Sequence, residues 1–209
     1  NTNAQDTKPL DFTSTGFSDF YWDNGVDYAS WSFRKAEKFF DVVTYNGSGS
    51  ARTITHNLGS TPAVIIIKAI DKVDNWMVYH GSLVNPQLKY LVLNSTNGEA
   101  TAAASIWNTT QPTDSVFSLG SDSALNGVGY SYVAYLFASD AGGFGDDGSE
   151  SIIKCGSFQN NGTPVDLGWE PQFLIIKPYS TASSWYMYDG MRGFNLTGSK
   201  TLLANTSGA

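Results

Sequence analysis

The property that most constrains this chain is that it repeats itself. Leu58-Gly59-Ser60-Thr61-Pro62 returns as Leu167-Gly168-Trp169-Glu170-Pro171, and each copy runs into an apolar stretch, Val64-Ile65-Ile66-Ile67-Lys68 or Phe173-Leu174-Ile175-Ile176-Lys177. The offset is 109 residues (58 to 167, 64 to 173), and it persists from Trp76-Met77-Val78-Tyr79 to Trp185-Tyr186-Met187-Tyr188. Looser matches flank these. Thr44-Tyr45-Asn46-Gly47 faces Ser157-Phe158-Gln159-Asn160, and Leu91-Val92-Leu93-Asn94 faces Leu202-Leu203-Ala204-Asn205, with the length changes falling between elements where loops absorb them. A fixed period of this kind implies supersecondary units that stack on one another.

The first copy continues to Gly129-Tyr130-Ser131-Tyr132-Val133-Ala134-Tyr135-Leu136-Phe137, and fragments of a further copy stand near the start of the chain. Thr13 to Ser18 resembles Thr113 to Ser118, and Asn24-Gly25-Val26-Asp27-Tyr28 with Trp31 and Phe33 resembles Asn126-Gly127-Val128-Gly129-Tyr130 with Tyr135 and Phe137. Residues 1–35 therefore read as the C-terminal strands of a preceding or permuted copy, 36–139 as a complete copy, 140–150 as a Gly/Asp linker and 151–209 as the N-terminal part of a further copy. Two arrangements fit. The chain is a window on a longer repetitive protein, or residues 1–35 complete residues 151–209, within the chain or by donation to a neighbour, which would remove open sheet edges.

Within the complete copy, short β-rich runs at 41–45, 52–56, 63–70, 75–80, 89–94, 104–108, 115–119 and 130–138 read as eight strands. Asn46-Gly47, Asn57-Leu58-Gly59, Asn97-Gly98 and Asn126-Gly127 read as tight turns between them, and the Asn46-Gly47-Ser48-Gly49-Ser50 stretch as a hairpin loop. No capped segment sustains a helical period, so helix is expected to be almost absent. The expected fold is all-β, a tandem of antiparallel β-sandwich modules of jelly-roll type. The runs at Ile65 and Leu174 are apolar on both faces, as an enclosed central strand should be. Trp76 and Trp185, each on the mostly apolar side of its strand, are expected to serve core packing.

Composition excludes several functions. Twelve Lys and Arg against nineteen Asp and Glu give a net charge of −7, without the basic footprint of a nucleic-acid binder. Cys155 is the only cysteine, so no intrachain disulfide forms and stability must come from packing or assembly. The apolar run from Ala63 to Ile67 stops at Lys68, far short of the roughly 20 residues that span a bilayer, so no membrane insertion is expected. Charged residues make up only 15% of the chain, and Ser, Thr, Asn and 21 glycines supply the polarity, as in many extracellular β-proteins.

Residues able to do chemistry are few. His56 and His80 are the only histidines, and the repeat replaces them with Val165 and Asp189. Cys155 lies in a strand-like apolar segment and reads as a buried small residue. No catalytic residue, cofactor or firm metal site is expected, and the chain reads as a non-enzyme. Asp140, Asp146, Asp147 and Glu150 crowd one glycine-rich loop, which makes Asp146, Asp147 and Glu150 weak calcium candidates, although their spacing fits no calcium-loop pattern. Aromatics outside the common framework stand out more. Tyr21, Trp22 and Asp23 lie at a turn, and Trp169 stands where the first copy has Ser60; sugars present C–H faces to rings and hydroxyls to Asp and Asn, so these four are the candidate ligand-binding residues.

The runs Ser32-Phe33-Arg34-Lys35-Ala36 to Phe39-Phe40-Asp41-Val42-Val43-Thr44-Tyr45, His56-Asn57-Leu58-Gly59 with Pro62, and Tyr132-Val133-Ala134-Tyr135-Leu136-Phe137-Ala138 to Gly142-Gly143-Phe144-Gly145 resemble a repeat domain of tail-fibre and related virion proteins of tailed bacteriophages, notably phages of marine bacteria and cyanobacteria. The resemblance covers nearly the whole chain from about residue 15. It implies a virion-surface, extracellular location, self-association as a homotrimer or other homo-oligomer, and contact with other virion proteins and a host cell-surface glycan. It carries no catalytic residues over. The expected role is a structural or adhesive fibre segment; the alternatives are a carbohydrate-binding module of a non-viral adhesin and, behind it, a polysaccharide hydrolase.

Overall fold

The computed structural model describes residues 10–19, 30–193 and 201–206. These form several antiparallel sheets with very little helix. In chain order the elements are β1 (Leu10–Phe12), β2 (Phe17–Asp19), β3 (Phe40–Asn46), β4 (Arg52–Thr55), β5 (Val64–Ala69), β6 (Met77–His80), β7 (Lys89–Val92), β8 (Ala100–Thr101), α1 (Ala103–Trp107), β9 (Val116–Leu119), α2 (Ser123–Asn126), β10 (Ser131–Phe137), β11 (Phe173–Ile176), β12 (Tyr186–Asp189) and β13 (Leu202–Leu203). One six-stranded sheet runs β3-β10-β5-β6-β7-β8; β4 pairs with β9, β1 with β2, and β11-β12-β13 form a separate sheet.

Residues alternate across each strand, so register fixes the faces. Ala134 pairs with Ile67 and Leu136 with Ile65, while Ile65 pairs with Tyr79 and Ile67 with Met77. All six point inward and are buried. Above them lies a second layer made of β4, β9 and the two short helices, which contributes Ile54, Phe117, Leu119, Ile106, Trp107 and Leu125 to the same cluster. Each large side chain taken from water there contributes about 1.5–3 kcal/mol. As its two-faced apolarity requires, β5 lies in the sheet interior between β10 and β6.

The strand expected at 104–108 is instead the helix α1. Three consecutive alanines, 102 to 104, favour the helix intrinsically. One turn carries both Ile106 and Trp107 under the sheet, and the Trp107 indole N–H donates to the Lys89 carbonyl at 2.8 Å. α2 departs from the expectation of near-absent helix in the same way, since Asp122 caps it by accepting from the Ala124 N–H at 2.8 Å.

The 46–50 stretch is no hairpin, because β3 and β4 lie in different sheets. It is an arch pinned by the fully buried Asn126, whose Oδ1 accepts from Ser48 N–H at 2.9 Å and whose Nδ2 donates to the carbonyls of Ser50 and Gly120, both at 2.7 Å. Of the glycines read as turn or loop formers, Gly49 and Gly59 have a positive φ (+69° each), but Gly47 serves close approach. A Cβ there would meet the Gly127 carbonyl oxygen at 2.0 Å.

The entry to β3 is held by Asp41. Its carboxylate accepts from the N–H groups of Val42 and Asn57, both at 2.8 Å, and pairs with Lys35 at 2.5 Å. Burial alone would raise its pKa; the Lys35 hydrogen bond and these N–H groups outweigh it and hold the carboxyl below its ordinary range.

Among the strands of the described residues, β3 pairs only with β10 and β4 only with β9. Residues 151–172 have no such partner among the described residues and carry no strand there, and Phe158 and Val165 remain about half exposed at 52% and 53%. Cys155, read as part of a strand, sits on this extended path.

Candidate functional site

The most heavily built feature outside the main core is the joint between the two sheets. Trp185 stands just before β12, only 6% exposed, packed with Val78, Leu83 and Leu91 on the outward face of the six-stranded sheet. Its indole N–H donates to the Val92 carbonyl at 3.0 Å, and its own backbone N–H donates to Asn205 Oδ1 at 2.7 Å. The neighbouring loops are laced together by main chain: Glu99 N–H to the Tyr179 carbonyl and Ser183 N–H to the Thr96 carbonyl, both 2.7 Å. Lys177 Nζ adds bonds to the carbonyls of Thr96 at 3.0 Å and Ser183 at 2.7 Å. Gly98 has no room for a side chain, since a Cβ would stand 2.7 Å from the Tyr179 oxygen.

Beside this joint, at one end of the main core, opens a cleft of about 300 Å³. Its rim carries Asn75, Asn97 and Asp122, and its floor Met77, Tyr90 and Ile106. A neutral amide rim, one carboxylate and an aromatic floor suit a polyhydroxylated ligand, whose hydroxyls both donate and accept while its C–H faces lie on the ring.

Of the ligand-binding candidates, Tyr21, Trp22 and Asp23 fall outside the described residues. Trp169 follows Gly168 (φ +80°) in an exposed turn and is 38% exposed, so its ring is available to a partner. It is not part of the cleft lining. Asp146, Asp147 and Glu150 lie on an exposed loop closed by paired backbone bonds between Phe144 and Glu150. The Asp147 carboxylate is occupied by the Ser149 N–H at 2.9 Å and hydroxyl at 2.7 Å, bonds that hold it below its ordinary pKa. Among the described residues, no group of three or more His, Cys, Asp and Glu side chains could hold a metal ion.

The titratable groups that might serve catalysis are engaged structurally. His56 Nδ1 accepts from the Leu58 N–H at 3.3 Å, Nε2 lies 3.3 Å from the Thr113 carbonyl, and the ring stacks on Phe117. Burial lowers its pKa, so the ring is neutral at pH 7. His80 is likewise lowered by burial, and its Nδ1 accepts from Ser82 N–H at 3.2 Å. Its counterpart Asp189 forms an ion pair with Arg192 at 2.5 Å. Burial pushes the Cys155 thiol up to about 11, which keeps it protonated, and its Sγ rests 3.6 Å from the Ala138 carbonyl.

Sequence reasoning placed Trp185 in a core but missed the joint. The signal was present: each tryptophan is followed by an asparagine, Asn94 or Asn205, that accepts its backbone N–H, at 2.8 Å for Trp76 and 2.7 Å for Trp185. The Asn97-Gly98 pair, read as a turn, is the other half of the joint.

The described residues make an all-β protein of several antiparallel sheets. Residues 2–209 match a family model described as domain of unknown function DUF7483, and the chain is a member of that family. No curated protein matches it. No solved structure matches it either. Among the described residues, no helix is long and apolar enough to cross a membrane.

Proposed function

We propose that this chain is a structural and adhesive segment of a phage tail fibre or related virion-surface protein, built from stacked, equivalent jelly-roll-like β-modules that present a receptor-binding surface and catalyse no reaction. The observation that carries the reading is the Trp185 joint, because it makes a rigid stack of pieces built on one plan. β11 and β12 pair as Ile175 with Met187, and β5 and β6 as Ile66 with Val78, each partner 109 positions on. Val78 with Leu91 is matched by Met187 with Leu202, the second partner lying 111 positions on (91 to 202). Lys68 and Lys177 each donate to the carbonyl of the next residue, at 2.7 and 3.1 Å. These coincidences favour the division at 36–139 and 151–209, with residues 140–150 between.

A fibre needs stiffness and repeated weak sites, whose combined avidity exceeds that of any one. The resemblance to virion repeat domains points to a host cell-surface glycan as receptor and to self-association, as a trimer or another homo-oligomer, alongside other virion proteins. The amide-rimmed cleft and the exposed Trp169 are the surfaces suited to such a glycan. The structural engagement of both histidines and the protonated Cys155 favour a non-catalytic role. The cleft also favours a second reading, a carbohydrate-binding module outside a virion. A glycan array with the intact chain tests adhesion: binding weakened by Tyr90→Ala or Trp169→Ala is expected, whereas turnover of a bound polysaccharide would contradict the non-enzymatic reading.

A further inference from the structure

The cleft beside the joint has a divided lining, apolar within and polar at the mouth. It opens where the six-stranded sheet and the helical layer part. Met77 faces Val92 and Tyr90 faces Ala100 in register on the inward side of β6, β7 and β8, while Ile106 of α1 and Ala124 of α2 close it from the other layer. Apart from Tyr90, none of these side chains carries an N–H or O–H group. A sugar hydroxyl pressed against them would give up its water without gaining a partner. The inner end of a ligand must therefore be apolar, and on a single sugar ring the group that answers this is a methyl.

The rim supplies hydrogen bonds and no positive charge. Asn75 Oδ1 accepts from Asn94 Nδ2 at 2.9 Å, which leaves its own amide N–H groups to donate. One oxygen of Asp122 accepts the Ala124 N–H at 2.8 Å, and the other is left to accept. The exposed carboxamide of Asn97 can do both, and its loop is fixed by the joint, since the neighbouring Thr96 carbonyl accepts from Ser183 N–H at 2.7 Å and Lys177 Nζ at 3.0 Å. The lysines of the flanking segments are engaged, Lys89 with Glu99 at 3.1 Å and Lys72 with Asp74 at 2.7 Å. A carboxylate or sulfate would meet Asp122 there with nothing to neutralise it. A volume of about 300 Å³, at the lower end for small-molecule sites, suits one ring. We infer that the cleft binds one terminal, neutral hexose bearing a methyl group, with the methyl inward and the hydroxyls on Asn75, Asn97 and Asp122. The inference rests on the adhesive reading of the chain and names the class of sugar taken at its cleft.

Titration of the intact, isotope-labelled chain with free sugars, followed by NMR, tests it. Deoxy sugars lacking the C6 hydroxyl, of the galactose and mannose series, are compared with galactose and mannose, and N-acetylglucosamine with glucose; glucuronic acid is the charged control. These arms separate a deoxy methyl from an acetyl methyl. At least one methyl-bearing sugar is expected to bind about tenfold more tightly than its parent, the scale on which an apolar pocket discriminates. Its dissociation constant should be on the order of 1 mM, as for a ligand this small, and the shifted amides should be those of Gly98, Ala100 and Ala124. Ala100→Leu fills the cleft and should abolish these shifts. Asn97 is exposed, so Asn97→Ala folds without repacking and should weaken binding about fivefold, the worth of one hydrogen bond. Equal affinity or none within every pair, tighter binding of glucuronic acid, or shifts confined to residues outside the cleft would each overturn the assignment. Glycan-array binding that survives Ala100→Leu would overturn it too and leave adhesion standing, whereas an array on which the intact chain binds nothing would contradict the adhesive reading itself.

Discussion

The indole N–H of Trp185 donates to the backbone carbonyl of Val92 across 3.0 Å, joining residues 93 positions apart in the sequence. This partly buried bond lies at the edge of the apolar cluster around Trp185, where an unpaired carbonyl is costly. Trp185→Phe keeps the ring and loses the donor, and is expected to lower stability by about 1 kcal/mol. Trp185→Ala also empties the seat and is expected to cost about 3–5 kcal/mol. Urea unfolding followed by tryptophan fluorescence and circular dichroism measures both.

Asn126 is the second point where one side chain organises distant segments. Asn126→Ala leaves the Ser48 N–H and the carbonyls of Ser50 and Gly120 without their partner. The expected loss is about 3 kcal/mol, since each stranded buried group costs on the order of 1–3 kcal/mol. Asn126→Asp keeps the acceptor but neither donor bond and should fall between, as read from thermal denaturation.

Two glycines make a matched pair. A Cβ at Gly98 would stand 2.7 Å from the Tyr179 oxygen, whereas one at Gly156 would meet nothing within 4 Å. Gly98→Ala is expected to cost about 1–3 kcal/mol by forcing the joint open. Gly156→Ala should leave stability within about 0.5 kcal/mol of the parent. Equal effects at the two positions would refute the close approach.

Acid should destabilise the chain in two stages. Burial lowers the pKa of His56 and His80 below the ordinary 6.5, so below that pH the unfolded chain holds more protons than the folded one. Stability is therefore full above about pH 6.5 and declines as pH falls through the folded pKa values. Asp41, held low by Lys35 and two backbone N–H groups against the effect of burial, adds a second loss below its ordinary 3.8. Melting temperatures between pH 8 and pH 3 should show both stages, and His56→Gln should shrink the first.

Much of this was legible because β-structure leaves a period-two trace. Seven of the eight runs read within 41–138 are strands, and the apolar run at Ile65 is central as its two-faced pattern requires. Residues 104–108 misled because Ile106 and Trp107 are β-favouring in isolation; the demand that both reach one cluster selected a helix. The Asn-Gly pairs misled because glycine at Gly47 and Gly98 answers to a distant carbonyl, which no local pattern encodes. The joint was half legible: the repeated tryptophan showed, but its partner is a main-chain carbonyl.

The central claim is that the β11-β12-β13 sheet owes its order to the seat Trp185 occupies on the first sheet. Amide hydrogen exchange of the intact chain, compared with Trp185→Ala, tests this most directly. The predicted result is slow exchange at Ile175, Tyr186 and Met187 in the parent, lost in the variant while Ile65, Ile67 and Ala134 stay protected. Equal protection of β11 and β12 with and without the indole would contradict it.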